Sequence, residues 1–225
     1  MVFRKGGRLP NNLRFYLGGD EVQIVEKFSF LGVVFTPSGS FSEAQSTLAG
    51  QGSKALFQLE KYLQKFINLS PKHVYGLFDK LVCPVLSYGC EVWGFHPAVS
   101  IERLHLKFCK RLLGVKSSTQ NNFIYGELGC TPLKLKRFTK IVKYWLSIVH
   151  NQKNVLVKCI YSELYTQAET SRIINWAKLV KQLLCTHGFG YVWLEQGVGD
   201  INSFLLLFQT KVRDIFYTRL AQCTC

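Results

Sequence analysis

Apolar residues recur every three or four positions between 74 and 86. Val74, Leu77, Phe78, Leu81, Val82, Val85 and Leu86 share a face, and Lys72, Asp79, Lys80 and Ser87 fall largely off it. That period predicts a helix with one broad buried side. Its start is marked by Ser70, whose hydroxyl can accept from free backbone amides, and by Pro71 at the first helical position, where a missing N–H costs nothing. Pro84 removes one intrahelical hydrogen bond further on, so the stretch 69–95 is expected to be a single helix bent near its middle. Trp93 is expected to anchor its far end.

Upstream the pattern is strand-like. In LRFYLGGDEVQIVE, Gly18, Gly19 and Asp20 separate two short runs, which is a hairpin signal. The run Phe28 to Phe35 follows, with Gly32 inside it where the backbone can approach another surface closely. A small antiparallel sheet is expected within 1–38. The break TPSGS (36–40) ends it, and Ser40 with Glu43 reads as a capping box launching a helix. That helix has the apolar stripe Phe41, Ala44, Leu48, Gly52, Ala55, Leu59, Tyr62 and Phe66, with Lys54, Lys61 and Lys65 on another side. After the central stretch, Ser100 can cap a helix from Ile101 to Leu113, ended by Gly114 in a left-handed conformation. Ile101, Leu104, Phe108 and Leu112 mark its inner side, and Arg103, Lys107, Lys110 and Arg111 make a basic outer row. A polar loop is expected over 117–122. Helices are expected over 123–128, 133–150, 155–165, 173–187 and 204–220, with breaks at THGFG and EQGVGD. Lys134, Lys136, Arg137, Lys140 and Lys143 crowd the second of these. The fold class read from this series is mainly α with a small N-terminal antiparallel β element (α+β). Its expected parts are β strands in 1–38, a three-helix bundle in 39–115 and a helical region in 116–225.

Composition narrows the function. Among 225 residues, 48% are hydrophobic and only 19% charged, which excludes a disordered tail and supplies a core. No apolar run approaches the roughly 20 residues that span a bilayer. The opening MVFRKGGR is not a secretory signal, so the chain is expected to be intracellular, cytoplasmic or nuclear, with no membrane partner. The net charge is +14, and half of it lies within 116–158. Such an excess favours a polyanion, foremost nucleic acid, although acidic membranes and simple solubility also produce it. The rows Lys54, Lys61, Lys65; Arg103, Lys107, Lys110, Arg111; and Lys134, Lys136, Arg137, Lys140, Lys143 are therefore candidate phosphate contacts, which position a nucleic acid without reading its bases. Each row also fits an ordinary solvated helix face. Phe138, Tyr144 and Trp145 are interleaved with the last row, and aromatics at helical spacing are core more often than base-stacking platforms.

Catalytic chemistry is not visible. Asp20, Asp79, Asp200 and Asp214 stand alone, and there is no phosphate-binding loop, nucleophile elbow or H-E-x-x-H pair. The cysteines at 83, 90, 109, 130, 159, 185, 223 and 225 lack the paired spacing of a zinc site. His105 with Cys109, and Cys223 with Cys225, each want two further ligands. No metal and no cofactor are expected in this chain.

One ordered series of segments carries a resemblance. MVFRK at the start, FSFLGVVF (28–35), SYGCEVWG (87–94), IERLHLKFCKRLLGV (101–115) and YGELG (125–129) are together similar to the region downstream of the catalytic palm in reverse transcriptases of non-LTR retrotransposons (LINE and jockey-like elements). The resemblance spans about residues 1 to 145. It implies that 1–38 are the last strands of the palm, that Leu31 and Gly32 lie where the primer's growing end is held, and that 39–115 form a helical thumb. The family is an RNA-directed DNA polymerase whose paired aspartates hold Mg²⁺. Those aspartates would precede MVFRK, so this chain is expected to lack polymerase activity alone and to retain primer–template (RNA/DNA) binding. The missing palm and fingers are then partners, as is a second copy. The alternative is a non-enzymatic helical interaction module whose exposed strand edge seeks a partner, without affinity for nucleic acid. A helix-turn-helix DNA reader would need a base-reading Arg, Asn or Gln at the start of one helix, and none stands out.

Overall fold

The computed structural model describes residues 1–4, 7–10, 12–65, 69–150 and 154–222. It is mainly helical, with β structure confined to the N-terminal part. β1 (Phe15–Leu17) and β2 (Asp20–Val22) pair antiparallel around Gly18 and Gly19, both at positive φ. β3 (Phe28–Phe30) and β4 (Val33–Phe35) pair across Leu31 and Gly32, which have φ of 47° and 78°. Two central residues at positive φ match the right-handed twist of a tight hairpin. The hairpins are two separate sheets, where one small sheet was expected. Leu31 is a β-turn residue in a region that disfavours side chains. It is held there by Tyr88, whose hydroxyl donates to the Leu31 carbonyl at 2.8 Å. Gly32 lies flat against the same ring, and a Cβ there would sit 3.3 Å from Tyr88 Cε1. The close approach expected at Gly32 is therefore present.

α1 (Ser42–Leu63) starts without the expected capping box. Ser40 Oγ is hydrogen-bonded to the Ser42 hydroxyl at 2.5 Å, and Glu43 pairs with Lys27 at 3.2 Å across to the β3 hairpin. The inward face is Ala44, Gln45, Leu48, Gly52, Leu56 and Leu59, so it is rotated from the expected stripe. Ala55 is half-buried and Tyr62 points to solvent, while Phe66 lies outside the described residues.

The stretch 69–95 is three segments and not one bent helix: α2 (Pro71–Leu81), α3 (Cys83–Leu86) and α4 (Cys90–Trp93). Pro84 has no N–H to offer the carbonyl four residues back, which interrupts the ladder. Gly89, at φ 62°, then turns the chain between α3 and α4. Ser70 precedes α2 and Pro71 opens it, but the Ser70 hydroxyl is bonded to His73 Nδ1 at 2.7 Å and caps no amide. Phe78, Val82 and Leu86 are fully buried, whereas Leu81 is exposed. Trp93 is the expected anchor: it is fully buried and its Nε1 donates to the Tyr88 carbonyl at 3.0 Å.

α5 (Val99–Leu112) begins at Ala98 and not at Ser100, and Gly114 at φ 66° terminates it as expected. There follow α6 (Asn121–Leu128), α7 (Leu133–His150), α8 (Val155–Thr170), α9 (Trp176–Thr186), α10 (Gly190–Leu194) and α11 (Ile201–Gln222). The starts of α8, α9 and α11 are set by side-chain caps. Asn154 Oδ1 accepts from the Val157 amide, Asn175 Oδ1 from the Lys178 amide, and Asp200 from the Asn202 and Ser203 amides. The caps explain why α9 starts later than residue 173 and α11 earlier than residue 204.

Two cores result. The first collects α1 to α6 with the start of α7, and at its centre Phe78 stacks on Phe108 at 4.3 Å. It takes in Ile124, Tyr125, Cys130 and Leu133, so it reaches past residue 115. The second is built by α7 to α11, with Trp145 stacked on Trp193 at 5.8 Å. Trp193 belongs to α10, a short helix between the two expected breaks. Trp176 Nε1 donates to the Glu91 carbonyl at 2.8 Å and fastens α9 to α4. No described helix is long and apolar enough to cross a membrane.

Gly52 of α1 packs tightly against α3: a Cβ added there would overlap the Leu86 side chain. Gly50, on the exposed side of the same helix, has open space around it. Gly52→Ala is expected to destabilise by about 1–3 kcal/mol through overpacking. Gly50→Ala is expected to stabilise by about 0.5–1 kcal/mol through helix propensity. Urea denaturation midpoints of the two variants should move in opposite directions.

Candidate nucleic-acid interface

The start of α7 organises the basic surface. Helix N-termini leave backbone amides without intrahelical partners. Here the Glu102 carboxylate of α5 supplies the acceptors. Glu102 Oε2 receives the Leu133 amide at 3.0 Å, and Oε1 receives the Lys134 amide at 2.7 Å. Negative charge at this end also suits the helix dipole. One turn along α7, Arg137 Nη1 lies 3.0 Å from Glu102 Oε1. The guanidinium is 1% exposed and sits 5.6 Å from the Trp93 ring centre. The Arg137–Glu102 contact is an ion pair whose angle falls short of a hydrogen bond, and none of the three guanidinium nitrogens has a hydrogen-bond partner among the described residues.

Above this junction α5 and the start of α7 enclose a groove of about 760 Å³. Arg103, Lys107, Lys110 and Arg111 line it from α5, Lys134 and Arg137 from α7, and Glu102 is the one carboxylate in its wall. Val99, Leu106 and Val115 supply apolar wall. The volume is that of a small-ligand pocket. Lys110 Nζ donates to the Ser117 carbonyl at 2.7 Å, and Arg111 pairs with Glu60 of α1. Among the described residues, Arg103, Lys107 and Lys134 have no carboxylate partner within ion-pair distance; Lys134 Nζ lies 5.2 Å from the Phe138 ring centre.

The basic row of α7 is divided by helical phase. Lys134 and Arg137 face the α5 groove, while Lys136, Lys140 and Lys143 line a second cleft of about 560 Å³ against α11, where Arg213 joins them. Two of these cations also bind inward. Lys136 Nζ is 2.5 Å from Asp79 Oδ1 of α2, and Lys140 Nζ donates to Ser87 Oγ at 2.6 Å. Arg137, expected on the surface, is buried and acts as the base of the groove. Lys54, Lys61 and Lys65 are exposed on α1 and just beyond its end. Arg111 binds Glu60, the neighbour of Lys61, so the α1 row and the α5 row meet at their C-terminal ends.

The aromatics of α7 are engaged in packing. Trp145 is fully buried and donates to the Tyr161 hydroxyl at 2.8 Å, and Tyr144 makes an edge contact with Trp176. Leu31 and Gly32 form the tip of the second hairpin and rest on Tyr88, away from both clefts. The aspartates do not converge: Asp20 is in β2, Asp79 is bound to Lys136, Asp200 caps α11 and Asp214 lies within α11. Glu102, which caps α7, and Arg213, which lines the second cleft, are positions that periodicity did not single out. Each meets α7 from another element, and no local spacing signals that. No family model, curated protein or solved structure matches this chain.

Removing Glu102 would strand two amides and a buried guanidinium together. Glu102→Ala is expected to cost about 3–5 kcal/mol, the usual penalty for leaving one member of a buried pair uncompensated. Arg111→Ala, which breaks a half-exposed pair, is expected to cost less than about 1 kcal/mol. Urea unfolding monitored by circular dichroism compares the two.

Proposed function

We propose that this chain is the end-of-palm, thumb-like and downstream helical part of a retrotransposon-type reverse transcriptase, and that its own activity is to hold RNA or DNA primer–template through phosphate contacts. The observation that carries the reading is the α5–α7 groove, in which six cations face one carboxylate. The motif IERLHLKFCKRLLGV supports it, because that segment builds the α5 wall of the groove, and Trp93 of SYGCEVWG lies against Arg137. In this reading Arg103, Lys107 and Lys134 meet phosphates directly. Arg137, its charge balanced by Glu102, closes the floor of the groove beneath them. Lys136, Lys140, Lys143 and Arg213 extend the track toward α11. Polymerisation would need carboxylates from outside this chain, because its own aspartates are dispersed.

A second reading has a specific observation in its favour. Leu17 and Leu31 are 77% and 75% exposed, and Phe28 and Phe30 also face solvent from isolated two-stranded hairpins. Such hairpins are marginal alone and gain stability from further strands or a packing partner. That surface suits the missing part of a palm sheet, a second copy or an unrelated protein.

Fluorescence anisotropy with a labelled RNA–DNA hybrid tests the first reading. The logarithm of the affinity is expected to fall linearly with the logarithm of salt concentration, as phosphate contacts release counterions. Arg103→Gln and Lys107→Gln are each expected to lower the slope by about 0.7–0.9 and to weaken binding to all sequences alike. Salt-independent binding, or binding unaffected by both substitutions, overturns the reading. Concentration-dependent self-association without nucleic-acid affinity would favour the hairpin surface instead.

A further inference from the structure

His105 and Cys109 are one turn apart on α5, and the fold brings a third ligand to them from the turn before α7. The ligand atoms of His105, Cys109 and Cys130 all lie within 4.8 Å of one another, and all three residues are buried. Tyr75 of α2 adds an oxygen to the cluster: its hydroxyl is 3.1 Å from His105 Nε2. We propose that His105, Cys109 and Cys130 form a structural zinc site, with the Tyr75 hydroxyl as the nearest oxygen to complete a four-donor set.

The chemistry of the donors selects the ion. Imidazole with two thiolates suits a borderline-soft divalent metal and excludes calcium and magnesium, which take oxygen. Two thiolates neutralise Zn²⁺, so the filled site has no net charge to bury. A monovalent copper ion on the same pair would leave a negative charge in the core. Tetrahedral zinc, with Zn–S near 2.3 Å and Zn–N near 2.0 Å, sets its ligand atoms roughly 3.5–4 Å apart. The observed cluster is within a small side-chain adjustment of that. On binding, the two thiols release their protons to solvent and their sulfurs each form one bond to the metal.

Two further observations fit. His105 Nδ1 is buried with no hydrogen-bond partner. Such an orphan ordinarily costs stability and calls for an explanation. The His105 ring is packed against Phe78, Tyr75 and Tyr125. The cluster lies where several elements converge. Cys130 carries the turn into α7, and its carbonyl accepts from the Tyr217 hydroxyl of α11 at 3.1 Å. An ion here would clamp α5 to that turn. The proposal is independent of nucleic-acid binding.

The test uses the full chain, purified reduced and metal-free, titrated with Co²⁺. Expected are a near-ultraviolet thiolate-to-cobalt band and intense visible bands of tetrahedral cobalt, saturating at about one ion per chain and bleached by Zn²⁺. Cys109→Ser with Cys130→Ser should abolish the thiolate band, whereas Cys83→Ser, Cys90→Ser and the pair Cys223→Ser with Cys225→Ser should keep it. Helical circular dichroism of each variant guards against misfolding. Independently of any variant, Zn²⁺ should raise the melting temperature of the unaltered chain and a chelator should reverse the rise. The absence of a cobalt–thiolate band in the unaltered chain, its persistence in the double variant, or a Cys109–Cys130 disulfide in the reduced preparation overturns the proposal.

Discussion

A single carboxylate determines how the two halves of this protein meet. Glu102 projects from α5, in the first core, onto the opening amides of α7, the helix that leads into the second. Unpaired amides at a helix start need acceptors, and in this fold no side chain of the preceding turn provides them. The same carboxylate balances Arg137, a charge with almost no contact with water. Helix start, buried cation and the crossing of α5 with α7 are thus satisfied by one group. The groove above inherits its shape from that crossing.

This arrangement accounts for the distribution of positive charge. α7 presents cations on two sides because its five basic residues fall into two helical phases. One phase opens toward α5 and the other toward α11. Two lysines of the second phase are spoken for by Asp79 and Ser87, and these contacts hold α7 against α2 and the segment after α3. The cations least committed to the fold are Arg103, Lys107 and Lys134. They surround the cavity whose floor is a guanidinium without hydrogen bonds. On α7, Lys136 and Lys140, which the fold uses for its own cohesion, therefore lie on a different phase from Lys134.

Much of the fold was legible because it rests on local rules. The mainly helical class, the Gly18–Gly19 hairpin turn, the limits of α7 and the Gly114 stop follow from period, turn residues and the left-handed preference of glycine. The places where reading failed are those where tertiary contacts overrule a local signal. Ser40 and Glu43 look like a capping box, but Glu43 is drawn to Lys27 and Ser40 to Ser42. Pro84 was expected to bend a helix, and with Gly89 close behind it the ladder breaks outright. Arg137 looked like one more surface cation in a basic run. Only the approach of Glu102, thirty-five residues earlier, shows why it is inside. The meeting of Cys130 with His105 and Cys109 is equally invisible to spacing, because a loop and a helix bring the ligands together.

α11 belongs to neither core alone. Its N-terminal half places Phe204 and Phe208 among the aromatics of the second, and its C-terminal half lays Phe216 against Tyr125 and ties Tyr217 to Cys130 in the first. A rigid rod embedded at both ends transmits the loosening of either core to the other. Heat or denaturant should therefore find one melting event, with neither half outliving its neighbour as a folded remnant.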